Sequence, residues 1–168
     1  MNKSSAIKLV LSLLLLASAG ALYFKLKPAR ENENGDAYFY DVREQKLFVA
    51  PRGSIPPIAG IKGAPGDGVR AIVVSPTGDP ADKKHQTIAY LEKYSPEIKE
   101  LFEEVRQARA AGRSEEGRID RKAVAANTLV RRLSDTNWQS LTSEEGRTIA
   151  NEWNTPGPNG QAPVVCSP

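Results

Sequence analysis

The amino-acid sequence predicts an α+β domain preceded by one N-terminal transmembrane helix. Three observations support this: short aromatic and β-branched runs, two segments that carry helix start signals, and an uncharged leucine-rich run near the N-terminus. They predict a small mixed or antiparallel sheet, formed by a hairpin and two or three further strands, with two helices packed on it. The predicted organisation is a membrane anchor or signal segment at 1–27, a linker at 28–36, the α+β domain at 37–153 and a disordered tail at 154–168.

The N-terminal run, from Leu9 to Phe24, contains no charge and is bounded by Lys8 and Lys25. A helix of about 16 to 18 residues is about 24 to 27 Å long, close to the ~30 Å hydrocarbon core, and flanking lysines extend to the headgroups. We therefore expect residues 7–24 to hold the protein in a membrane as a single pass. The short basic segment before the leucines places the domain on the extracytoplasmic side.

A cleaved signal peptide is the alternative interpretation of the same run. The triplets at 17–19 and 19–21, Ala-Ser-Ala and Ala-Gly-Ala, both satisfy the small-x-small rule for cleavage. Cleavage near Ala19 or Ala21 would give a secreted or periplasmic protein. The apolar run continues with aromatic residues to Phe24, which favours the retained anchor.

Five runs are predicted to be strands. Residues 37–40 and 46–50 are rich in aromatic and aliphatic side chains and predict a hairpin with a longer loop. Residues 69–74 form the most apolar run, which is typical of a strand at the centre of a sheet. Residues 86–94 alternate in polarity, which favours a strand over a helix, and residues 128–133 are the last candidate strand.

Two connecting segments lack regular patterns. The proline-rich segment 51–58 breaks regular structure, because prolines remove backbone donors and fix φ. It is an ordered loop only if Ile55, Ile58 and Ile61 pack against the domain. Residues 112–122 are charged and rich in turn formers, which predicts a mobile insertion.

Two helices are predicted from their start signals. The tripeptide at 95–97, Ser-Pro-Glu, places an acceptor at the N-cap, proline at the first helical position and an acid near the positive end of the dipole. This helix is expected to end near Ala111. The tetrapeptide at 142–145, Thr-Ser-Glu-Glu, predicts a capping box that opens a helix through Ile149 and Trp153. The apolar face of the first helix is Ile98, Leu101, Phe102, Val105 and Ala108.

Composition excludes several classes of function. The net charge is only +3 with a pI near 9.0, and three of the basic residues, Lys25, Lys27 and Arg30, lie beside the apolar run. A nucleic-acid partner is therefore not expected. Cys166 is the only cysteine, which excludes an internal disulfide and a cysteine-based zinc site. We expect it on a mobile tail, without a structural role.

The residues that most resemble catalytic or metal-binding groups are isolated. His85 lies in a charged surface turn, which favours a solvated loop histidine. The glycine-rich segment 60–66 lacks the Gly-Lys-Ser/Thr ending of a phosphate loop, and Pro65 removes a backbone donor. Asp79 and Asp82 have no ladder of further oxygen ligands, so a surface turn is favoured over calcium. The sequence therefore assigns no catalytic, cofactor-binding or metal-binding residue.

Charged and aromatic residues also suggest possible binding surfaces. Arg131 and Arg132 lie near Trp138, a predicted core or rim anchor, and are candidates for binding an anion or an acidic partner. Adjacent strand residues point to opposite faces, so the two arginines are not expected to form one clamp. Four acidic residues follow the exposed face of the first helix and predict a solubilising surface: Glu97, Glu100, Glu103 and Glu104.

A set of spaced residue blocks runs through the predicted domain: Tyr38-Phe39-Tyr40-Asp41, Leu47-Phe48, Ile55-Pro56-Pro57-Ile58, Gly68-Val69-Arg70-Ala71, Tyr90-Leu91-Glu92-Lys93-Tyr94, Leu129-Val130-Arg131-Arg132, Trp138 and Ser143-x-x-Gly146. These blocks resemble a family of uncharacterised single-domain bacterial envelope proteins that have a hydrophobic N-terminus, which implies the bacterial inner membrane for the predicted span at 7–24. The resemblance covers residues 37–153 and implies an envelope location without implying any activity. Some relatives carry cysteines after the third strand, where this sequence has Ser75-Pro76-Thr77-Gly78, so no thiol or metal role is implied here.

The sequence thus predicts a membrane-tethered, non-enzymatic protein that binds an envelope protein or has a structural role in the envelope. The alternative is an envelope enzyme whose site consists of carboxylates and hydroxyls without a recognisable motif. Two carboxylates converging in a concave pocket would favour the enzyme. An aromatic surface patch around Tyr38, Tyr40 or Tyr90 would favour the binding protein.

Overall fold

A computed structural model describes residues 35–114, 118–157 and 160–168, which form an α+β fold around one antiparallel sheet. The strand order is β2-β1-β3-β4-β5-β6, and β7 pairs with β3. The strands are β1 (Asp36–Asp41), β2 (Lys46–Pro51), β3 (Gly68–Ser75), β4 (Thr87–Tyr94), β5 (Thr128–Arg131), β6 (Gln139–Ser140) and β7 (Val164–Val165). The helices are α1 (Pro96–Ala110), α2 (Arg121–Asn127) and α3 (Glu144–Asn151), followed by a 3₁₀ turn (Glu152–Asn154).

The α+β class and the antiparallel sheet are confirmed, but the fold is larger than predicted. The described residues contain three helices rather than two, and two short strands, β6 and β7, enlarge the sheet to seven strands. The predicted membrane helix at 7–24, and the possible cleavage sites with it, lie outside the described residues. No helix within the described ranges is long and apolar enough to span a bilayer.

The predicted hairpin is confirmed, with six residue pairs from Asp36↔Pro51 to Asp41↔Lys46. Its turn lacks the Asn-Gly dipeptide that is common in tight hairpins. The Asp41 carboxylate stabilises the turn instead. Asp41 Oδ1 accepts hydrogen bonds from the N–H groups of Arg43 and Glu44, both at 2.9 Å. Oδ2 accepts from the Ile61 N–H at 2.7 Å, so the same side chain fixes the loop before β3.

The proline-rich loop is ordered. Pro56 is fully buried, and its carbonyl accepts from the Tyr94 N–H at 3.2 Å. The Arg70 guanidinium donates to the carbonyls of Arg52 and Ser54 at 2.8 and 3.1 Å. Of the three isoleucines expected to anchor this region, those at 55 and 58 are half-buried, whereas Ile61 is exposed. Backbone hydrogen bonds, more than isoleucine packing, fix the loop.

The sheet has two faces that are packed differently. The helix face carries Phe39, Arg70, Glu92 and Val130, which the strand registers align in one row. Helix α1 lies on this side, since the Phe102 ring contacts Tyr94, a neighbour of the row, at 4.9 Å. The opposite face, here called the cluster face, carries an apolar cluster drawn from strands and the C-terminal segment: Tyr40, Val69, Ala71, Val73, Leu91 and Cys166.

The prediction of a disordered tail is wrong for residues 160–168. Strand β1 pairs with β3 only at residues 68–70, which leaves the far end of the same β3 edge available. Val164 and Val165 occupy it, opposite Ser75 and Val74. The prolines and polar residues of the tail conceal this short apolar run in the sequence.

Cys166 is accordingly buried, contrary to the prediction of a mobile thiol. Its side chain is 6% exposed within the cluster, and its N–H donates to the Val73 carbonyl at 2.8 Å. The following residue is held as well, because the Arg52 guanidinium donates to Ser167 Oγ at 2.9 Å and to the Asp36 carbonyl at 3.4 Å. One arginine therefore links the first strand to the end of the chain.

Helix α1 follows its prediction closely. Ser95 is the N-cap and its hydroxyl accepts from the Ile98 N–H. Ile98, Val105 and Ala108 are buried, while the other two residues of the predicted apolar face are half-buried. The helix ends at Ala110, one residue before the predicted position.

The other helices correct the sequence interpretation. The segment predicted as a mobile insertion contains the start of α2, whose N-cap Asp120 accepts from the Lys122 N–H at 2.9 Å. The N-cap of α3 is Ser143 rather than the first residue of the predicted capping box, and its hydroxyl accepts from the Gly146 N–H at 2.9 Å. A Cβ at Gly146 would lie 1.9 Å from the Ser140 carbonyl oxygen, so glycine is required where a capping box has Glu or Gln.

We predict that residues 35–168 unfold cooperatively without the N-terminal segment, because the described residues form one compact unit. A chain that ends at residue 153 should lose at least about 2 kcal/mol of unfolding free energy, since it lacks β7 and the buried Cys166. Urea denaturation followed by circular dichroism measures both.

Two adjacent substitutions give a matched control for this prediction. Cys166→Ser should cost more than about 1 kcal/mol, because it places a hydroxyl in an apolar cluster, whereas Val165→Ala should cost less than about 0.5 kcal/mol at an exposed side chain. Equal unfolding free energies for the chain that ends at residue 153 and for residues 35–168 would show that the C-terminal segment is not part of the folding unit.

Candidate anion-binding site

Three residues from neighbouring strands meet on the cluster face near the β6 edge of the sheet. Lys93 lies in β4 and Arg131 in β5, and the register Leu91↔Arg131 and Lys93↔Leu129 places both on one face as diagonal neighbours. Trp138 lies one residue before the start of β6 and therefore beside Arg131. We call these three residues the Trp138 cluster.

Both cations of the Trp138 cluster contact one aromatic ring. Lys93 Nζ is 4.5 Å and Arg131 Cζ is 5.0 Å from the centroid of the indole. All three side chains are half-buried. Each cation–π contact contributes about 0.5–1 kcal/mol at a partly exposed site, which offsets part of the repulsion between the two positive charges.

The positive charge of the Trp138 cluster is not neutralised by a carboxylate in the described part of the chain. Arg131 donates to the Asp135 carbonyl, which is neutral, and its buried Nε has no hydrogen-bond partner. Burial lowers the pKa of Lys93, and the Arg131 charge lowers it further. The cluster is thus a partly desolvated pair of cations that an anion would complete.

The neighbouring Arg132, in contrast to Arg131, is paired with carboxylates. Its guanidinium makes two 2.7 Å hydrogen bonds to the Glu152 carboxylate and a 3.3 Å contact with Asp135. It ties β5 to the turn after α3, on the face opposite to Arg131. The prediction that the two adjacent arginines do not form one clamp is confirmed.

Sequence reasoning placed Arg131 near Trp138 but missed Lys93, the second cation. The two cations are 38 positions apart, and only the strand register brings them together. The alternation of β4 was the available signal, because it places Lys93 and Leu91 on the same face.

The polar residues of the loop after β3 are not arranged as a Ser-His-Asp triad. His85 Nδ1 is 2.7 Å from Asp82 Oδ2, and the same oxygen accepts from Thr77 Oγ1 at 3.3 Å. Thr77 in turn contacts the hydroxyl of Ser75, which is fully buried. The carboxylate lies between the hydroxyls and the imidazole, so His85 has no serine to activate. Hydrogen bonding from His85 lowers the pKa of Asp82, with burial opposing it.

The remaining metal and phosphate candidates are also accounted for by local structure. Asp79 Oδ1 accepts from the Ala81 N–H in a surface turn, and the described ranges contain no group of three or more potential ligands arranged for a metal. In the glycine-rich segment, the N–H groups of Gly60, Gly63 and Gly66 are already bonded to carbonyls of the same loop. These amides are not available to a phosphate.

Asp41 is the most buried acid of the described chain, and its environment is structural. The Glu44 N–H lowers the pKa of its carboxyl, burial opposes this, and the N–H groups of Ile61 and Arg43 lower it further. A Cβ at Gly60 would lie 2.4 Å from Asp41 Oδ2, so only glycine fits beside this carboxylate. No ligand can reach this group without dismantling the loop.

The aromatic patch that would favour a binding protein over an enzyme does not form as one surface. The register places Tyr38 and Tyr40 on the cluster face and Tyr90 on the helix face, beside Glu92. Tyr40 is buried, and the Tyr38 hydroxyl donates to Gln86 Oε1 at 3.4 Å. Burial raises the pKa of Tyr90 to about 12 and also raises the pKa of Glu92, which Arg70 partly offsets.

Comparison with known proteins adds no relative. No family model, no curated protein and no solved structure matches this chain. The resemblance to envelope proteins therefore stays an expectation.

We predict that Lys93→Met leaves the fold intact and raises the unfolding free energy at neutral pH by less than about 1 kcal/mol, because it removes a desolvated charge beside Arg131. Since the pKa of Lys93 is lowered in the folded state, the unfolded chain binds more protons between that pKa and about 10.4. The stability of the wild type therefore rises with pH through this window, and the advantage of the variant should shrink. Urea unfolding at pH 7 and pH 10 tests this; a variant less stable at pH 7 would contradict it.

Proposed function

We propose that this protein is a non-enzymatic, membrane-tethered binding domain of the cell envelope, in which the Trp138 cluster binds an acidic group of an envelope protein partner. The observation that supports this is the pair of cations, Lys93 and Arg131, on one indole without a carboxylate partner in the described chain. A half-buried charge pair of one sign is costly for folding alone, and an acidic partner would recover that cost.

The geometry suits a carboxylate. Arg131 offers a half-buried guanidinium, and Lys93 offers a compact ammonium on the same indole. A carboxylate between them would accept charge-assisted hydrogen bonds from both. Because the site is half-buried, these bonds are less screened by salt than those of a fully exposed pair. The Trp138 ring adds an apolar surface of the kind that dominates protein interfaces.

The chemistry of the Trp138 cluster favours binding over catalysis. The cluster presents two positive charges on one indole, and a negatively charged group is the ligand that such a pair suits. Burial and the Arg131 charge both lower the pKa of Lys93, and a bound anion would stabilise its charged form.

The location in this proposal rests on the sequence. Residues 7–24 serve as a single inner-membrane pass, with the domain on the extracytoplasmic side; cleavage near Ala19 or Ala21 is the alternative that releases it.

We predict that a hexaglutamate peptide changes the fluorescence of Trp138 in a saturable way. The full chain is held in detergent micelles, in a Trp153→Phe background so that Trp138 is the only indole. Lys93→Met and Arg131→Met should each raise the dissociation constant at least about tenfold, because each removes a charge-assisted contact. Added salt should weaken binding to the wild type.

Two controls make this measurement specific. Lys84→Met removes an exposed lysine of the loop after β3 and should leave peptide binding unchanged. A hexalysine peptide should produce no response. Equal binding of hexaglutamate to the wild type and to a Lys93→Met, Arg131→Met double variant would overturn the proposal.

A second prediction concerns membrane orientation. A reporter active only outside the cytoplasm, fused after Pro168, should be active, whereas a cytoplasm-dependent reporter at the same position should not. The full-length product should stay in the membrane pellet after carbonate extraction. A soluble product shortened by about 19 to 21 residues would support the signal-peptide alternative, and activity of the cytoplasmic reporter alone would contradict export.

A further inference from the structure

Among the described residues, strand β2 is a terminal strand of the sheet and presents an apolar edge that none of the other described strands pairs with. It lies at one end of the strand order, with β1 on its inner side. Leu47 and Val49 are 40% and 49% exposed, and both belong to the few large apolar side chains exposed in the described chain. Phe48 between them points to the other face, where its ring lies 5.9 Å from Phe39 and holds the strand in place.

Backbone hydrogen bonds show which groups of β2 face the open edge. The Arg52 N–H donates to the Gly35 carbonyl, so residue 52 faces β1. Orientation alternates along an antiparallel strand, so the residues at 50, 48 and 46 also face β1. The N–H and C=O groups of Leu47 and Val49 therefore point outward. A hydrogen bond on the other edge of β1 supports the same assignment. The Val42 N–H donates to the Asp67 carbonyl, so residues 42 and 40 face β3, and residues 41 and 39 face β2.

The outward groups of β2 are complementary to those of a second β2. In an antiparallel pair with Phe48 opposite itself, Leu47 of each copy faces Val49 of the other. Each of these facing pairs exchanges two hydrogen bonds, giving four across the two-fold axis. The exposed Leu47 and Val49 side chains then contact each other on the same face, which removes them from water.

Charge and proline positions fit this pairing. Lys46 would face Ala50 of the second copy, so no like charges stand opposite each other. Pro51 lacks an N–H, but it lies at an outward-facing position just beyond the paired residues. Lys46 and Pro51 thus lie on either side of the paired residues 47–49. They limit the pairing to a short segment.

We infer that the protein forms a two-fold homodimer through antiparallel pairing of β2 with β2 of a second copy. The partner is a second copy because the donor, acceptor and apolar positions of this segment match themselves in one register. Attachment to one membrane would raise the effective concentration of the copies and favour so short an interface. The interface lies at the opposite end of the strand order from the Trp138 cluster, so it is independent of the anion-binding proposal.

Register-specific disulfide formation tests this inference on the full chain in detergent micelles. Leu47→Cys and Val49→Cys are purified separately, then oxidised alone and as an equal mixture. In the proposed register the facing Cα atoms are about 5.5 Å apart, within reach of a disulfide. The mixture should therefore give at least about fivefold more disulfide-linked dimer than either variant alone. Leu133→Cys, at another exposed apolar position, should give no such increase when mixed with either.

Sedimentation velocity of the full chain gives a second, independent measurement. The wild type should dimerise with increasing concentration, and Val49→Lys should raise the dissociation constant at least about tenfold, because it places a charge at the centre of the interface. Leu133→Lys should dimerise like the wild type, and unchanged circular dichroism would show that both variants are folded. Cross-linking that is equal in the mixture and in the single variants, or a Val49→Lys protein that remains dimeric, would overturn the inference.

Discussion

The described fold depends on how the two edges of β3 are shared. Strand β4 occupies one edge along nearly the whole strand, whereas β1 and β7 divide the other. The hairpin can extend the sheet only at the start of β3, because the C-terminal segment pairs at its end. This division closes the apolar cluster of the cluster face, whose members come from β1, β3, β4 and the C-terminal segment.

The strongest strands and the first helix could be predicted because their local signals agree with their tertiary environment. The apolar run at 69–74 becomes the central strand, and the Ser-Pro-Glu start of α1 is a working N-cap. Helix α2 was missed because its seven residues bury no side chain and so carry no apolar period. Strand β7 was missed because a two-residue strand among prolines is too short to show an alternating pattern. Its formation depends on the part of the β3 edge that β1 leaves unpaired.

The candidate site was only half visible in the sequence for a related reason. Arg131 and Trp138 lie near each other along the chain, but Lys93 joins them through the pairing of β4 with β5. The sequence also does not show which charges are neutralised by a neighbour. It could not show that Arg132 pairs with Glu152, whereas Arg131 contacts only a carbonyl and an indole. A site made of uncompensated charge becomes visible once the neighbours of each charge are known.

The position of Arg52 has a consequence for how the chain is ordered. Its guanidinium contacts both the Asp36 carbonyl and Ser167, so the beginning of the first strand and the end of the last lie side by side. A short peptide linker could join them, and new termini could be opened at the exposed Gly112, where an added Cβ would meet no atom within 4 Å. Such a circular permutant would keep every strand pair of the sheet. The connectivity of the domain is therefore separable from its architecture.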